Sequence, residues 1–313
     1  MLLEISCLRP CERAGTSALV RDENVPTTLA FVQLDETGNR SFTFYRKPGA
    51  DIMLRKEEVP SAFIYGCGVF HFGSVSLTDE PCRTATLYAA SAARKAGALV
   101  SYDPNYRPFL WPDIGRAKKE LLEAAALADV VKVSEDELFL LTGENDLGNG
   151  CRALQQHGPV AVVVTLGPKG AYCSAPACEA FLPTYDVPVV DTTGAGDAFW
   201  GALLWKLHAE YGCAARKDIA ALTQAQWRVA MKFANAAGSL TTTKKGAIPA
   251  MPSKEEIDSC VRQKCDIFVN YVSGAVTKGH SPKILCSAFM HSPQRRCTGT
   301  VRRLRLRRCH NMR

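Results

Sequence analysis

The stretch VVDTTGAGDAFWGALLW, residues 189–205, carries the clearest chemistry in the chain. A β-rich run ends at Asp191, a Thr/Gly/Ala/Gly turn follows, and Asp197 opens an apolar helix. Gly194 and Gly196 let the backbone turn sharply and leave no Cβ in the way of a ligand. The amides of Gly194, Ala195 and Gly196 then face outward at a helix start, where the dipole adds about half a positive charge. Such a cradle suits the anionic group of a phosphoryl transfer. Asp197 lies in the first helical turn, where its carboxylate can take a proton from a hydroxyl nucleophile. The same carboxylate can equally do no more than interact with the helix N-terminus.

Other polar residues sit where ligands are usually met, each with a plainer alternative. Asn105 and Arg107, in SYDPNYRPFLW (101–111), follow a strand end. The Arg107 fork suits phosphate oxygens, and also a surface ion pair. Ser134 and Glu137, in SEDE, have capping-box spacing. Thr165, Gly167 and Gly170 belong to VTLGPKGA, whose GPKG by itself reads as a β-turn. Asn235 is, by periodicity, a polar residue on a helix, and TTTKKGAI (241–248) is a helix end followed by a loop.

The elements that must position these residues alternate. Residues 28–34 and 41–46 are two β-rich runs joined by DETGN, 35–39, a hairpin signal. A strand is predicted at 69–77, a helix at 81–96 opened by Pro81 and closed by Gly97, and a strand at 98–103. A helix at 114–128, a buried strand at 129–133 and a short helix at 134–141 follow. PVAVVVTL (159–166) reads as a central strand covered on both faces. Shorter strands are predicted at 171–174, 179–183 and 187–190. Helices are predicted at 194–208, 223–238 and 253–264, the last with Ser253 and Glu256 as a capping box. This order implies an α/β fold with a mostly parallel sheet and a small β appendage.

DTTGAGDAFWGALL resembles the C-terminal signature of the PfkB carbohydrate kinase family, which has the ribokinase-like fold. FHFGSVSL (70–77), SYDPNYRPFLW (101–111) and TTTKKGAIPAMP (241–252) resemble the fructokinases within that family. The resemblance runs from about residue 27 to 257. It implies a three-layer sandwich with a mostly parallel sheet and a small β lid at about 27–47. It also implies ATP-dependent phosphorylation of a sugar, with D-fructose giving D-fructose 6-phosphate. Ribose and 2-keto-3-deoxygluconate are the alternative sugars within the family. By resemblance, Asp197 is the base, and Gly194, Ala195 and Gly196 form the anion hole. Asn105 and Arg107 meet substrate or phosphate. Thr165, Gly167, Gly170 and Asn235 lie on the nucleotide side. Glu137 organises Mg²⁺ through water, in a motif where Ser134 replaces the usual Asn. Asp191 and Thr193, with the 241–248 loop, match a monovalent cation site, K⁺ being the expected ion. In relatives the lid can be a dimer surface, so a homodimer through it is expected. The family's opening strand, with its sugar-binding aspartate and Gly-Gly…Asn element, is not found in residues 1–26. The kinase domain, 20–260, is therefore expected to be N-terminally incomplete. A non-catalytic nucleotide-binding remnant is the alternative reading.

Composition fits this picture. The chain has 313 residues, 47% hydrophobic and 22% charged, which excludes a disordered or collagen-like class. No apolar run is long enough to span a membrane. The net charge of +7 is a property of the C-terminal end: residues 261–313 hold twelve Lys or Arg against Asp266 alone. The body is mildly acidic, and a nucleic-acid partner is not expected. The 265–313 tail, rich in Cys and Arg, is expected to be disordered, and residues 1–19 follow no clear period. Thirteen cysteines without CxxC pairs suggest reduced thiols and a cytoplasmic protein.

Overall fold

A computed structural model describes residues 19–34, 40–46 and 48–263. The DETGN turn, residues 1–18 and the 265–313 tail, for which expectations are given above, lie outside the described residues. β1 (Leu29–Leu34) and β2 (Arg40–Tyr45) pair antiparallel, Leu29 opposite Tyr45, as a separate two-stranded ribbon.

The body begins with α1 (Ser61–Gly66), β3 (Val69–Gly73), α2 (Cys82–Ala96) and β4 (Leu99–Asp103). Then come α3 (Ile114–Ala125), β5 (Val130–Ser134), α4 (Glu135–Thr142), α5 (Leu147–Gln155) and β6 (Ala161–Thr165). β7 (Ala171–Ala175), β8 (Cys178–Leu182), α6 (Ala195–Trp205), α7 (Arg216–Ala221), α8 (Gln224–Thr241) and α9 (Lys254–Gln263) complete it. The six-stranded sheet has the order β3-β4-β5-β6-β7-β8. β3 to β6 are parallel, while β7 and β8 run antiparallel.

Alternation along the strands separates two cores. Val100, Tyr102, Val131, Val133, Val162 and Val164 face α2 to α5, packing with Ala93, Leu121, Leu138 and Leu154. Leu99, Val130, Ala161 and Val163 face the other way, onto Phe199, Trp200, Leu203, Trp227 and Met231 of α6 and α8. Period 2 in the strands thus becomes a helix layer on each side of the sheet, the three-layer α/β sandwich expected. A smaller cluster of Tyr185, Phe233, Ile257 and Cys260 seats α9.

Several boundaries differ from the sequence reading. Residues 187–190 form no strand; the Val190 and Asp191 amides donate to the Thr242 carbonyl at 2.7 and 3.1 Å. A single pinned carbonyl does the work a ladder was expected to do. β3 stops at Gly73, and Ser74–Leu77 is a 3₁₀ turn. The helix expected at 194–208 changes to a π turn over Lys206–Glu210. α1, α5 and α7 were not predicted. α5 has Asp146 as N-cap but also two interior glycines, Gly148 and Gly150, which weaken the local signal.

Candidate functional site

The parallel strands β3 to β6 end along one edge of the sheet, where open α/β folds bind ligands. Residues from two of those strand ends and from the α6 start line a cavity of about 320 Å³: His71, Gly73, Asp103, Asn105 and Asp197, with Asp51, Val75 and Ser76 beside them.

Gly194 is the pivot of the α6 start. It is left-handed, at φ 79°, and a Cβ there would meet the Ala247 Cβ at 2.9 Å. Its carbonyl accepts the first helical bond, from the Ala198 amide at 2.8 Å. The Ala195 amide is taken by the Thr192 carbonyl at 3.3 Å. Gly196 and Asp197 then offer first-turn amides to a ligand. The Asp197 side chain is exposed and faces the cavity.

Under this start lies a pair of charges that the sequence reading missed. Lys132 on β5 and Asp103 at the end of β4 are both buried and form a short, direct ion pair. Burial pushes the Asp103 carboxyl up, and the Lys132 ammonium opposes that. The Asp103 Oδ1 accepts the Asn105 amide at 3.2 Å, and Asn105 is the one non-glycine residue with a positive φ, 46°, among those described. A lysine among the valines of the buried strand DVVKV was the available signal for this pair.

His71 was also missed. It lies opposite Ser101 in the β3–β4 register, and its Nδ1 is 2.9 Å from the Ser101 hydroxyl. That hydroxyl accepts the Trp200 indole N–H at 2.8 Å, and Trp200 is on α6, three residues from Asp197. The bond chain ties the α6 start to the sheet edge. Solvent reaches part of the ring, yet the walls of the cleft desolvate it. This, with the Lys132 ammonium, holds the His71 pKa below its ordinary 6.5, against the pull of Asp197.

Glu137 has both oxygens engaged. One accepts the Ser134 amide at 2.8 Å and closes the α4 capping box. The other accepts the Tyr106 amide at 2.7 Å, holding the loop of Asn105 and Arg107. A metal ion meets these oxygens only in competition with two N–H donors, so contact through water fits this carboxylate better than direct ligation. No cluster of three His, Cys, Asp or Glu suited to a metal occurs among the described residues. The Arg107 guanidinium donates to its neighbour's Tyr106 carbonyl at 3.1 Å and makes no ion pair among the described residues.

The nucleotide-side candidates lie further along the strand ends. The Thr165 hydroxyl reaches the Val133 carbonyl at 3.4 Å. Gly167 and Gly170 have φ of 56° and 119°, and a Cβ on Gly170 would overlap the Leu182 carbonyl. Asn235 is buried, and its amide nitrogen donates to the Leu182 and Pro183 carbonyls, both at 3.1 Å. In this structure that amide fastens α8 to the end of β8. Asp191 and Thr193 come together with the 241–248 loop: the Thr193 and Gly246 amides donate to the Asp191 carboxylate at 2.9 and 3.0 Å.

The family model for pfkB family carbohydrate kinases matches residues 14–254, upstream of where the motifs begin. The chain belongs to the pfkB family of carbohydrate kinases. It is 43% identical over 242 residues to probable fructokinase-4 of Arabidopsis thaliana, which covers 77% of this chain and 72% of the relative. A crystal structure of fructokinase with bound ATP from Xylella fastidiosa superposes with TM-score 0.72 at 35% identity, covering 78% of this chain and 76% of that one. Fructokinase from Vibrio cholerae O395, in a fructose-, ADP- and calcium-bound form, gives TM-score 0.68 at 37% identity, covering 78% and 76%. This pfkB kinase has no helix among its described residues long and apolar enough to cross a membrane.

Proposed function

We propose that the protein is an ATP-dependent fructokinase, converting D-fructose and ATP to D-fructose 6-phosphate and ADP. The observation that carries this reading is the exposed Asp197 carboxylate in the first turn of α6, beside open amides and facing a cavity shared with Asp103 and Asn105. The sugar hydroxyl oxygen attacks the γ-phosphorus as Asp197 takes the hydroxyl proton. The bond from phosphorus to the bridging oxygen breaks, and ADP leaves. The Gly196 and Asp197 amides and the helix dipole stabilise charge on the transferring phosphoryl group. Arg107, with no carboxylate partner among the described residues, is placed to pair with phosphate. Mg²⁺ carried on the nucleotide would neutralise phosphate charge, with Glu137 on its water side. Thr165, Gly167 and Gly170 would shape the nucleotide side, and Asn235 would hold that side together through the Leu182 and Pro183 carbonyls. Asp191, Thr193 and the Gly246 loop would hold a monovalent cation such as K⁺, which would steady the α6 turn.

Two further features extend this reading. Leu29, Phe31 and Tyr45 are exposed on the ribbon, 40%, 54% and 59%, with Leu29 opposite Tyr45; an apolar lid surface of this kind supports a homodimer through the ribbon. Seven cysteines among the described residues form no disulfide, and six of them are buried, which supports a reducing, cytoplasmic setting.

A coupled ADP-release assay across fructose, ribose, adenosine and 2-keto-3-deoxygluconate tests the assignment. Fructose should give the highest kcat/KM. Preference for another of the four overturns the sugar and keeps the kinase. A nucleotide-binding remnant without transfer is favoured by one observation: β3, which carries His71 and Gly73, is an edge strand of the sheet among the described residues. ATP binding with no sugar-dependent ADP release, in folded protein, would establish that second reading.

A further inference from the structure

The Lys132–Asp103 pair is an unusual choice for the middle of a parallel sheet. Lys132 stands between Val131 and Val133 on β5 and is 7% exposed; Asp103 is 4% exposed. A buried pair of this kind seldom stabilises a fold, because desolvating two charges offsets their attraction. Valine or methionine at position 132 would satisfy the packing alone. The orientation of the pair indicates what it is for. A Cβ built on Gly196 would lie 3.5 Å from the Lys132 Nζ and 3.6 Å from its Cε, its nearest neighbours outside the helix turn itself. The ammonium therefore stands beside the α6 start, while its partner, the Asp103 carboxylate, lines the cavity. The positive end of the pair thus stands beside Gly196, in the first turn of α6.

We propose that Lys132 is a positioning residue for phosphoryl transfer, a fixed positive charge set beneath the Gly196 end of the anion cradle and locked there by Asp103. This rests on the kinase reading above. The ammonium forms no bond to substrate. It adds a full charge to the half charge of the helix dipole, from a dry site where water screens it little. Its interaction grows as negative charge collects on the transferring group, so it acts on kcat more than on sugar binding. Asp103 has a second duty: through the Asn105 amide it sets the loop that lines the cavity.

The test compares the full chain with Lys132→Met, Lys132→Arg and the double variant Lys132→Met with Asp103→Leu. Steady-state kinetics and thermal midpoints are measured on all four. Lys132→Met should lose at least about tenfold in kcat, with KM for fructose changed less than about threefold. Lys132→Arg keeps the charge and should recover most of that loss. The double variant removes both buried charges, so its thermal midpoint should equal or exceed that of the parent, with kcat as low as in the single variant. A residue that served only the fold would give kcat loss in step with the fall in thermal midpoint, and parent-like kcat in the stable double variant. Either result overturns the proposal. So does equal kcat in the Met and Arg variants. A parent chain with no sugar-dependent ADP release overturns the kinase reading, and this inference with it; an active parent with an equally active Lys132→Met variant overturns the inference alone.

Discussion

The Glu137 carboxylate accepts the backbone amide of Tyr106 at 2.7 Å, across 31 positions of sequence. Its other oxygen closes the α4 cap on Ser134, so one side chain sets both a helix start and the loop of Asn105 and Arg107. Glutamine can accept only one of the two amides. Glu137→Gln should therefore cost on the order of 1–3 kcal/mol, the penalty of an unpaired, partly buried N–H. Urea unfolding reads that loss. If the loop also positions substrate, KM should rise in the same variant; unchanged stability would show that the clamp is not engaged in solution.

Asp197→Asn separates chemistry from folding. Asparagine is nearly isosteric and is tolerated near helix starts, so the thermal midpoint should stay close to that of the parent. The rate of transfer should fall about 10²–10⁴-fold, while ATP binding, which uses backbone amides, changes little. Single-turnover kinetics with nucleotide titration on both proteins provides the check. Parent-like kcat would remove Asp197 from the role of base.

The two glycines of the α6 turn should behave differently. Gly194 is left-handed and hemmed in by Ala247, so Gly194→Ala should lose about 1–3 kcal/mol along with activity. Gly196 has no positive φ, and an added Cβ would only touch Lys132. Gly196→Ala should keep stability within about 1 kcal/mol of the parent, since alanine is the better helix former. Its activity should still fall, because the methyl pushes the Lys132 ammonium away from the cradle. Chemical denaturation and kcat on the same two variants decide this.

His71 should give the fold a pH dependence. An imidazole held below its ordinary pKa binds its proton more weakly when folded than when unfolded. Its contribution to stability is complete above pH 6.5, its ordinary value, and is lost as pH falls from there through the lower folded value. Thermal midpoints at about pH 7.5 and about pH 5.5 should drop more in the parent than in His71→Gln. Equal drops would mean that other groups carry the acid sensitivity.

Much of this protein was legible in its sequence because the relevant interactions are local. The α6 turn was readable from Gly194, Gly196 and Asp197, since a left-handed turn and a helix start are decided within a few residues. The Ser253–Glu256 cap of α9 and the Ser134–Glu137 cap of α4 are contacts three residues apart, and both are formed. β6 was legible as a central strand because its valines alternate between two helix layers. What the tertiary structure alone decided are partners far apart in the chain. Lys132 and Asp103 are 29 positions apart, Gly246 and Asp191 are 55, and Asn235 reaches the Leu182 carbonyl across 53. Side-chain periodicity tells which face a residue occupies. It does not tell which carboxylate a buried lysine finds, or that the Asn235 amide goes to two backbone carbonyls. The segment 187–190 was misread for the same reason: its β-branched residues favour an extended chain, but a strand needs a free ladder beside it, and the fold offers only the carbonyl of Thr242.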